Sequence, residues 1–565
     1  MWLLKAARGV RATAAALTTQ YTRSFRRDLT TTWAACNIQR SHVPDIDLPS
    51  GNLVNTIFKN VSKWGNKTAT ECTVTGRRYT YSQLMDRIAR WGGFLTKLGV
   101  HRGDVVGVAL GNCPEYPIVF FGAIAIGAVA TTINPAYSAE EIARHLRDSE
   151  AKVLVGDPLM HQTVTEALKL YKSPTHLVLN GPPTTSGTLN LQQIIEDPTV
   201  PFTDPVMLTG EEVAALPYSS GTTGSPKGVS LSHNAITSNT VMVTHPDVFM
   251  AQETTEENQE SYMGLLPFFH VSGIAVLMSS GFYEGVKLLT VPKFDPKTYI
   301  SSVVQHKVKT LHLVPSILNF LVNSPETKKE TLGQVTKILC GAAPLQSSAV
   351  HAFKEKISTD ISFVEGWGMT EILLTTLVPK GVDKIGTIGK LLPNVTAKVV
   401  DLETGKALPA NRDGEICVKT PSIMRGYHNN PAATQETIDS EGWLHSGDVG
   451  RYDDEGFFKI VDRTKELIKV NELQVSPSEL EEIICQHPGV VDVGVVGVPD
   501  ESMGEAPRAF IVTEGTIHQE DIHSFLKPRV ARHKQLAGGI FFVEALPKNA
   551  TGKLLRQELK KMGGS

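Results

Sequence analysis

The chain has 565 residues, of which 41% are hydrophobic and 20% are charged, a balance typical of globular proteins. A chain of this length exceeds what one hydrophobic core usually organises, so we expect at least two domains. The formal net charge of -3 at pH 7 gives no reason to expect nucleic acid or an anionic membrane as the main partner.

The six cysteines lie far apart in the sequence and form no CxxC pair. This spacing argues against a disulfide framework and against a zinc site, and it favours a reducing compartment.

The N-terminal segment is basic and rich in Ala, Thr and Leu. No acidic residue precedes Asp28, a composition typical of a mitochondrial transit peptide. We therefore expect residues 1–40 to direct the protein to the mitochondrial matrix. A disordered basic tail is the alternative, with a cytoplasmic or peroxisomal location, although the C-terminal MGGS is not an SKL-type signal.

Apolar runs alternate with helical patterns from about residue 50 to 460. We predict strands at 104–110, 152–157, 307–316 and 335–344 and a helix at 139–149, a rhythm typical of parallel sheets covered by helices. The apolar run 117–133 is nearly long enough to span a bilayer, but its polar flanks favour a buried helix, and no transmembrane segment is expected.

The character of the sequence changes after Asp462, where a helix and then a strand follow the charged joint DRTKE. We therefore predict an α/β fold with a large N-terminal domain of sheets and covering helices at 41–461. A small α+β domain follows at 462–565.

The stretch YSSGTTGSPKGVS at 218–230 combines glycines, short hydroxyl side chains and one lysine. A phosphate-binding loop needs backbone N–H groups, little bulk and a cation, whereas a flexible linker rarely carries so many donors between a strand and a helix. The Walker A spacing is absent. The candidate phosphate ligands are Ser219, Ser220, Gly221, Thr222, Thr223, Gly224 and Lys227.

Further motifs follow in chain order. In LPFFHVSG, His270 ends an apolar run, and Ser272 and Gly273 leave room for a ligand. The motif EGWGMTE reads as a turn in which Trp367 is placed to stack on a base, Thr370 to bond phosphate and Glu371 to bind Mg²⁺. Each motif alone is more often structural than catalytic. The others are GAAPL with Ala342, GWLHSGDVG with Asp448 in a tight turn suited to ribose hydroxyls, and PKNATGK with Lys553.

In this order the motifs resemble the adenylate-forming superfamily of acyl-CoA synthetases. The resemblance covers about residues 45–560 and is strongest to the branch of 4-coumarate–CoA ligases, fatty-acyl-CoA ligases and beetle luciferases. It implies stacked sheets in the N-terminal domain, a mobile C-terminal lid, and ATP, Mg²⁺ and coenzyme A as reactants. A carboxylate would form acyl-AMP and pyrophosphate, and coenzyme A would then displace AMP.

The resemblance also implies site roles. Lys553 would clamp the carboxylate and α-phosphate, Lys227 would stabilise the leaving pyrophosphate, and Lys465 would be the hinge within 462–465. The remaining candidates are Glu365, Gly366, Arg463 and Lys469 for the nucleotide, His270, Ser272, Gly273 and Gly368 for the acyl group, and Lys293, Asn471 and Glu472 for coenzyme A.

The chain departs from the family pattern at two positions. Glu472 stands where glycine is usual, beside the tunnel expected for the pantetheine arm, and Glu365 stands where the coumarate branch has glutamine. The first departure leaves open an acyl- and nucleotide-binding protein that forms no thioester. The second puts a hydroxycinnamate substrate in doubt.

The reaction we expect is that of an acid–thiol ligase. A luciferase-like oxygenase that uses the acyl-AMP also stays open, whereas a peptide-synthetase module is disfavoured because no carrier domain follows Lys553. The run VSGIAVLMSS offers small residues and no cation for a second carboxylate. The acid is therefore a medium- or long-chain fatty acid or an arylpropenoate such as 4-coumarate, and the mitochondrial leader favours the fatty acid.

Overall fold

A computed structural model describes the chain from residue 37 to residue 562 with short gaps. The gaps are 174, 183–186, 220–225, 249–253, 342–344, 346, 359, 472, 501 and 550–551. Residues 1–36 of the proposed leader and several site candidates therefore lie outside the described residues. These candidates are Ser220, Gly221, Thr222, Thr223, Gly224, Ala342 and Glu472.

The described strands are, in chain order, β1 (Ile38–Arg40), β2 (Thr68–Cys72), β3 (Arg78–Thr80), β4 (Val105–Ala109), β5 (Val129–Thr132), β6 (Val153–Gly156), β7 (His176–Leu179), β8 (Leu189–Asn190), β9 (Val213–Ser219), β10 (Lys227–Ser232), β11 (Ser261–Gly264), β12 (Lys287–Thr290), β13 (Thr310–Leu313), β14 (Lys337–Cys340), β15 (Ser362–Met369), β16 (Leu373–Leu377), β17 (Lys390–Leu391), β18 (Thr396–Val400), β19 (Gly414–Lys419), β20 (Gly426–Tyr427), β21 (Leu444–Tyr452), β22 (Phe458–Arg463), β23 (Ile468–Val470), β24 (Leu473–Val475), β25 (Val490–Asp500), β26 (Gly504–Thr513) and β27 (Ile540–Phe542).

The described α-helices are α1 (Leu53–Ile57), α2 (Tyr81–Lys97), α3 (Tyr116–Ala125), α4 (Ala139–Ser149), α5 (His161–Tyr171), α6 (Leu191–Glu196), α7 (His233–Val243), α8 (Ser280–Tyr283), α9 (Pro296–Gln305), α10 (Pro315–Asn323), α11 (Lys329–Leu332), α12 (Ser347–Ile357), α13 (Pro431–Thr437), α14 (Pro477–Ile484), α15 (Gln519–Leu526) and α16 (Arg556–Met562). Short 3₁₀ turns lie at Val61–Lys63, Pro158–Met160 and Arg532–Lys534, and Gly273–Ser279 is π-helical.

Two large sheets form the body of the N-terminal part. Their orders are β20-β10-β9-β5-β4-β6-β7-β8 and β17-β16-β15-β14-β13-β11-β12-β2-β3. Both are parallel in the middle and antiparallel at one or both edges, so the predicted α/β fold is confirmed. A third, antiparallel sheet, β1-β18-β19-β21-β22, was not predicted from the sequence.

The large sheets are held together by a shared core. Its biggest cluster of buried side chains combines α2 and α3 with residues of β4, β9, β11 and β12. Phe121 of α3 packs edge-on against Phe58 and Phe282. The two sheets therefore sit on opposite sides of a helical layer, and the carboxyl ends of their parallel strands are free to carry the site.

Local signals explain the helices that the sequence predicts best. Helix α4 occupies the predicted residues 139–149 because Ser138 and Glu141 form a capping box at its start. The apolar run 117–133 is only partly helical. Helix α3 is entirely buried and ends at Ala125, Gly127 turns the chain with φ +77, and β5 follows. Over the described residues no helix has the length and apolarity needed to cross a membrane.

The C-terminal part has its own sheet, β24-β23-β26-β25 with β27 beside β26, and its own buried cluster. Asp462, near the end of β22, accepts hydrogen bonds from the Ser476 hydroxyl (2.6 Å) and the Ser478 N–H (2.9 Å), at the start of α14. The predicted division at 461/462 stays a prediction. The Asp462 carboxylate on β22 binds the start of α14 and so links the antiparallel sheet of the body to the C-terminal part.

Glycine is required where the π-helical segment begins. A Cβ at Gly273 would lie 2.3 Å from the Pro267 carbonyl oxygen and 2.5 Å from the Phe268 Cα. We expect Gly273→Ala to lower the free energy of unfolding by about 1–3 kcal/mol, since backbone must shift to admit the methyl group. Gly281→Ala is the matched control, because its Cβ would meet only ordinary contacts of 3.6 Å or more. Denaturant unfolding measures both, and equal effects would contradict the clash.

Candidate functional site

The predicted phosphate loop joins two paired strands. Ser219 ends β9 and Lys227 begins β10, and their Cα atoms are partners in the antiparallel ladder. The Lys227 Nζ lies 4.8 Å from the centre of the Tyr427 ring, and the Tyr427 hydroxyl donates to Glu371 Oε1 at 2.8 Å. Tyr427 therefore joins the predicted phosphate cation to the predicted metal ligand.

Glu371 fits the chemistry of a magnesium ligand. The residue is 4% exposed and follows Thr370, which is 8% exposed. A buried carboxylate next to a phosphate-binding cation offers the oxygen ligand that Mg²⁺ shares with substrate phosphates.

Only the end of the motif EGWGMTE forms the predicted turn, with Thr370 and Glu371 between β15 and β16. Its residues from Glu365 to Met369 belong to β15, which has a bulge between Trp367 and Gly368. A Cβ at Gly366 would lie 2.8 Å from a Leu377 methyl group, and one at Gly368 would lie 1.8 Å from the Leu373 carbonyl oxygen. Both glycines let β16 approach β15, so Gly368 serves strand pairing and not only an acyl pocket.

Asp448 lies on β21 and not in the predicted tight turn. One oxygen accepts a hydrogen bond from Trp367 Nε1 at 2.8 Å, and the other pairs with Arg463 Nε at 3.0 Å. Burial raises the pKa of this carboxyl group, and Arg463, Trp367 and Lys553 oppose that shift. The structure therefore gives Trp367 a role in holding Asp448, while its stacking on adenine stays a prediction.

Lys553 of the lid lies close enough to Asp448 for the two charges to interact. Gly552 lies against the start of α10, where a Cβ would come within 2.5 Å of Ser316 Oγ. Burial lowers the pKa of Lys553, as does the charge of Arg463, whereas Glu466 and Asp448 raise it. The predicted ribose ligand on β21 and the predicted clamp lysine of the lid are thus brought into one region of the structure.

The described candidates for the hinge and for coenzyme A lie on the surface, as does the nucleotide candidate Lys469. Lys465 is exposed in the turn after β22, Lys469 is exposed on β23, and Lys293 is exposed before α9. Asn471 has φ +47, and its N–H donates to the Met503 carbonyl at 2.8 Å. None of these side chains meets the Asp448 cluster, and their roles stay predictions.

On the acyl side, His270 follows β11 in a turn. Its Nδ1 lies 3.1 Å from Ser272 Oγ, and burial lowers its pKa to about 4, so the imidazole is neutral at pH 7. Gly273 is packed against the Pro267 and Phe268 backbone, which leaves no space for a Cβ, and its predicted place beside the acyl group stays a prediction. Ser272, in the same turn, is partly exposed to solvent.

A residue that sequence reasoning missed holds this turn in place. Asn112, directly after β4, donates through Nδ2 to the carbonyls of Gly264 and Leu266, both at 2.9 Å. Its Oδ1 accepts from the Phe268 N–H at 2.9 Å. The available signal was a polar residue between two apolar runs, which reads equally well as an ordinary loop.

A second missed group supports the phosphate loop. The ring of Tyr218, the penultimate residue of β9, lies 3.8 Å from the ring of His145, and its hydroxyl donates to Asp148 Oδ2 at 2.6 Å. The carbonyl of Asp148 in turn bonds His428 Nε2 at 3.1 Å. Helix α4 therefore fixes the point at which the loop begins.

Glu365 faces the boundary between the body and the lid. Its Oε1 accepts from the Gly386 N–H at 2.9 Å. Burial raises its pKa to about 7; Lys459 and the Gly386 bond lower it, and Glu482 of the lid helix α14 raises it further. The predicted contacts of Glu365 with the nucleotide and with the acyl group remain predictions.

Comparison with known proteins agrees with this arrangement. The family profile described as AMP-binding enzyme matches residues 57–428, more than half of the chain, and the profile of the AMP-binding enzyme C-terminal domain matches residues 479–553. The chain belongs to the AMP-binding enzyme family. The resemblance inferred from the motifs is therefore confirmed.

Relatives of this AMP-binding enzyme are CoA ligases. It is 35% identical over 540 residues to 4-coumarate--CoA ligase 1 of Petroselinum crispum, covering 93% of this chain and 96% of the relative. Its fold matches ATP-bound MatB from Rhodopseudomonas palustris (28% identity, TM-score 0.82, 90% and 98% coverage). It also matches the anthranilate CoA ligase AuaEII in complex with anthranoyl-AMP (25% identity, TM-score 0.83, 92% and 98% coverage). The predicted class, acid–thiol ligase, is confirmed at this level.

The boundary carboxylate makes the stability of this AMP-binding enzyme depend on pH. The pKa of Glu365 is raised to about 7, so the folded protein holds this proton more tightly than the unfolded chain does. The resulting stabilisation of the fold is fully present in acid and is lost as the pH rises through about 7. When the pH rises from about 6 to about 8, the free energy of unfolding of the wild type should fall by about 1 kcal/mol more than that of Glu365→Gln. Unfolding at several pH values measures this. Glu355→Gln, at an exposed site on α12, is the control, and parallel curves for wild type and Glu365→Gln would contradict the assignment.

The indole N–H that holds Asp448 has a matched test. Trp367→Phe replaces the indole by a smaller aromatic ring without the N–H donor, so we expect the KM for ATP to rise about tenfold, equivalent to one lost charge-assisted hydrogen bond. Trp91→Phe is the control, because it also loses one N–H bond, to the Val119 carbonyl at 3.2 Å, in the distant core. Pyrophosphate release at varied ATP measures both, and an unchanged KM in Trp367→Phe would remove the role.

Proposed function

We propose that this AMP-binding enzyme is an ATP-dependent carboxylic acid–CoA ligase that forms acyl-AMP and pyrophosphate, then acyl-CoA and AMP. The observation that carries the proposal is the buried ion pair of Asp448 with Arg463, with Lys553 close enough for its charge to interact with theirs. Lys227 and Glu371, which Tyr427 joins to each other, belong to the same set of predicted site residues. The same set of residues thus offers a ribose ligand, two phosphate cations and a metal ligand.

In the first half-reaction a carboxylate oxygen of the acid attacks the α-phosphorus, and the bond to the pyrophosphate oxygen breaks. Lys553 holds the carboxylate and α-phosphate together, and Lys227 balances the charge that develops on pyrophosphate. Desolvation makes a lysine charge act more strongly on a phosphate than it does in water. Mg²⁺ held by Glu371 would supply further charge neutralisation at the phosphates.

Asp448 orients the nucleotide. A carboxylate offers about four lone-pair sites, and Trp367 and Arg463 occupy one on each oxygen. The ribose hydroxyls are donors for those that remain. The nucleotide can therefore bind without breaking the contacts that keep this buried charge in place.

His270 acts on the acid as a neutral group. Its burial-lowered pKa of about 4 excludes an imidazolium at neutral pH, so it contributes a hydrogen bond beside the acyl carboxylate and no charge. A neutral imidazole leaves the carboxylate nucleophilic, whereas a cation there would stabilise the ground state.

In the second half-reaction the coenzyme A thiol attacks the acyl carbon and AMP leaves. We assign Lys465 as the pivot of the lid, and Lys293, Asn471 and Glu472 as the neighbours of coenzyme A in the rotated state. The exposure of Lys293 and Lys465 is compatible with contacts made only after rotation.

The acid is a monocarboxylate with an apolar tail, either a medium- or long-chain fatty acid or an arylpropenoic acid such as 4-coumarate. The plant relative supports the aryl acid by its name, whereas Glu365 in place of the glutamine of that branch supports the fatty acid. A mitochondrial location rests on the composition of the leader and completes the proposal.

Product analysis tests the activity. Purified protein, ATP, Mg²⁺, coenzyme A and a panel of fatty and arylpropenoic acids should give an acyl-CoA that mass spectrometry identifies. Acyl-AMP without acyl-CoA would indicate a protein that forms no thioester, and Glu472→Gly would then be compared. An oxygen-dependent product would indicate the luciferase-like alternative.

Separate half-reactions test the lysines. Lys553→Ala should reduce pyrophosphate release at least about a hundredfold, as expected when a preorganised charge is removed, yet convert supplied acyl-AMP to acyl-CoA. Lys465→Ala should show the opposite pattern. Lys560→Ala, at an exposed position on α16, is the control. Equal losses in both half-reactions for either variant would refute its assigned role.

A further inference from the structure

Three potential metal-ligand side chains converge on the antiparallel sheet, outside the nucleotide site. Glu415 and Cys417 lie on β19 and His445 lies on β21, where the Cα atoms of Cys417 and His445 are direct partners. The ladder has a bulge between Glu415 and Cys417, and the ligand atoms of the three side chains all lie within 4.8 Å of one another. The cysteine spacing had argued against a zinc site, but this cluster uses a single cysteine.

The distances fit a tetrahedral ion closely. His445 Nδ1 lies 3.4 Å from Cys417 Sγ and 2.8 Å from Glu415 Oε2. In a zinc site with metal–ligand distances of about 2.0–2.3 Å, neighbouring ligand atoms stand about 3.3–3.7 Å apart. The sulfur and nitrogen already have this separation, and the carboxylate has to retreat by only about half an ångström.

The surrounding groups match those around bound metals. Asp439 Oδ2 lies 3.6 Å from His445 Nε2, where it faces the N–H that this ring carries when Nδ1 binds a metal. Asp439 is itself fixed, since its Oδ1 accepts from the N–H groups of Glu441 (2.9 Å) and Trp443 (2.8 Å). Glu415 Oε1 accepts from the Gly447 N–H at 2.9 Å, which leaves Oε2 for the ion.

Charge and access are also suitable. A thiolate and a carboxylate together neutralise the charge of a divalent ion. A bound ion therefore adds no net positive charge that would repel the nearby Lys398, whose Nζ lies 4.6 Å from the Trp443 ring centre. The His445 side chain is 35% exposed and that of Glu415 is 18% exposed, whereas Cys417 is buried. An ion can therefore enter from the imidazole side, and water can supply the fourth ligand.

We propose that Glu415, Cys417 and His445 form a binding site for Zn²⁺ or a similar borderline transition-metal ion. Sulfur and nitrogen ligands select such ions over Mg²⁺, which distinguishes this site from the carboxylate at Glu371. Binding deprotonates the Cys417 thiol and releases that proton to solvent, while the neutral His445 ring binds through Nδ1 and carries its proton on Nε2.

The proposed metal site is connected through one turn to Asp448, the residue proposed to bind the ribose. Glu415 holds the Gly447 N–H, and the Gly447 carbonyl accepts from the Thr464 N–H at 2.9 Å, next to Arg463. Asp448 is the next residue. A metal that fixes Glu415 thereby fixes the turn between Asp448 and the start of the lid.

Cobalt is the probe for this proposal, because Co²⁺ bound to a thiolate has a near-ultraviolet charge-transfer band. Full-length protein without a polyhistidine tag, free of added thiols and nucleotide, should bind one Co²⁺ per chain with this band. Zn²⁺ should displace the Co²⁺, and a large excess of Mg²⁺ should not. Cys417→Ser should abolish the band, and His445→Gln should weaken Co²⁺ binding at least tenfold.

Cys340→Ser is the matched control, because Cys340 is also a buried strand cysteine, 2% exposed. The band should persist in that variant. Absence of a thiolate band in wild type, or its persistence in Cys417→Ser, would overturn the proposal. Should Cys417→Ser fold poorly, the more exposed His445→Gln decides the question, because Zn²⁺ should raise the Tm of wild type and not of this variant.

Discussion

The buried carboxylate of Asp448 is the contact on which the rest of the site depends. A charge that is 5% exposed is tolerated only when it is paired and hydrogen-bonded, and loss of one partner of a buried pair costs about 3–5 kcal/mol. Its partners come from three places: Trp367 from a large sheet, Arg463 from the end of β22, and Lys553 from the lid. One side chain thus requires the large sheet, the antiparallel sheet and the lid to take defined positions.

The features that were predicted from the sequence are those with local causes. Helix α4 follows from a capping box and an apolar face, and the strands β4, β6, β13 and β14 follow from apolar runs that end in small or polar residues. The motif residues Lys227, Glu371, Asp448 and Lys553 were picked out by the chemistry of their local motifs, and the order of those motifs then supplied the resemblance. Their meeting in the described structure agrees with that resemblance, although no chemical role follows from proximity alone.

What could not be predicted depends on contacts between distant segments. Gly366 and Gly368 suggested a turn, but the structure shows that glycine is needed at both positions because β16 lies too close for a Cβ. A single sequence does not show which strand will be the neighbour. Asn112 bonds backbone groups more than 150 residues away. Likewise, Cys417 and His445 become neighbours only through the register of β19 and β21.

The attachment of the lid has a consequence for the order of the reaction. Asp462 precedes the proposed pivot Lys465, whereas its partners Ser476 and Ser478 follow it, so rotation about Lys465 must break both bonds. Hydrogen bonds to a charged group contribute about 1.5–3 kcal/mol each, which favours the pose with Lys553 over the site. Phosphate charge beside Lys553 strengthens that preference, and departure of pyrophosphate weakens it. We infer that departure of pyrophosphate favours release of the lid after adenylation, because it lowers the total phosphate charge near Lys553, although the α-phosphate remains in the acyl-AMP.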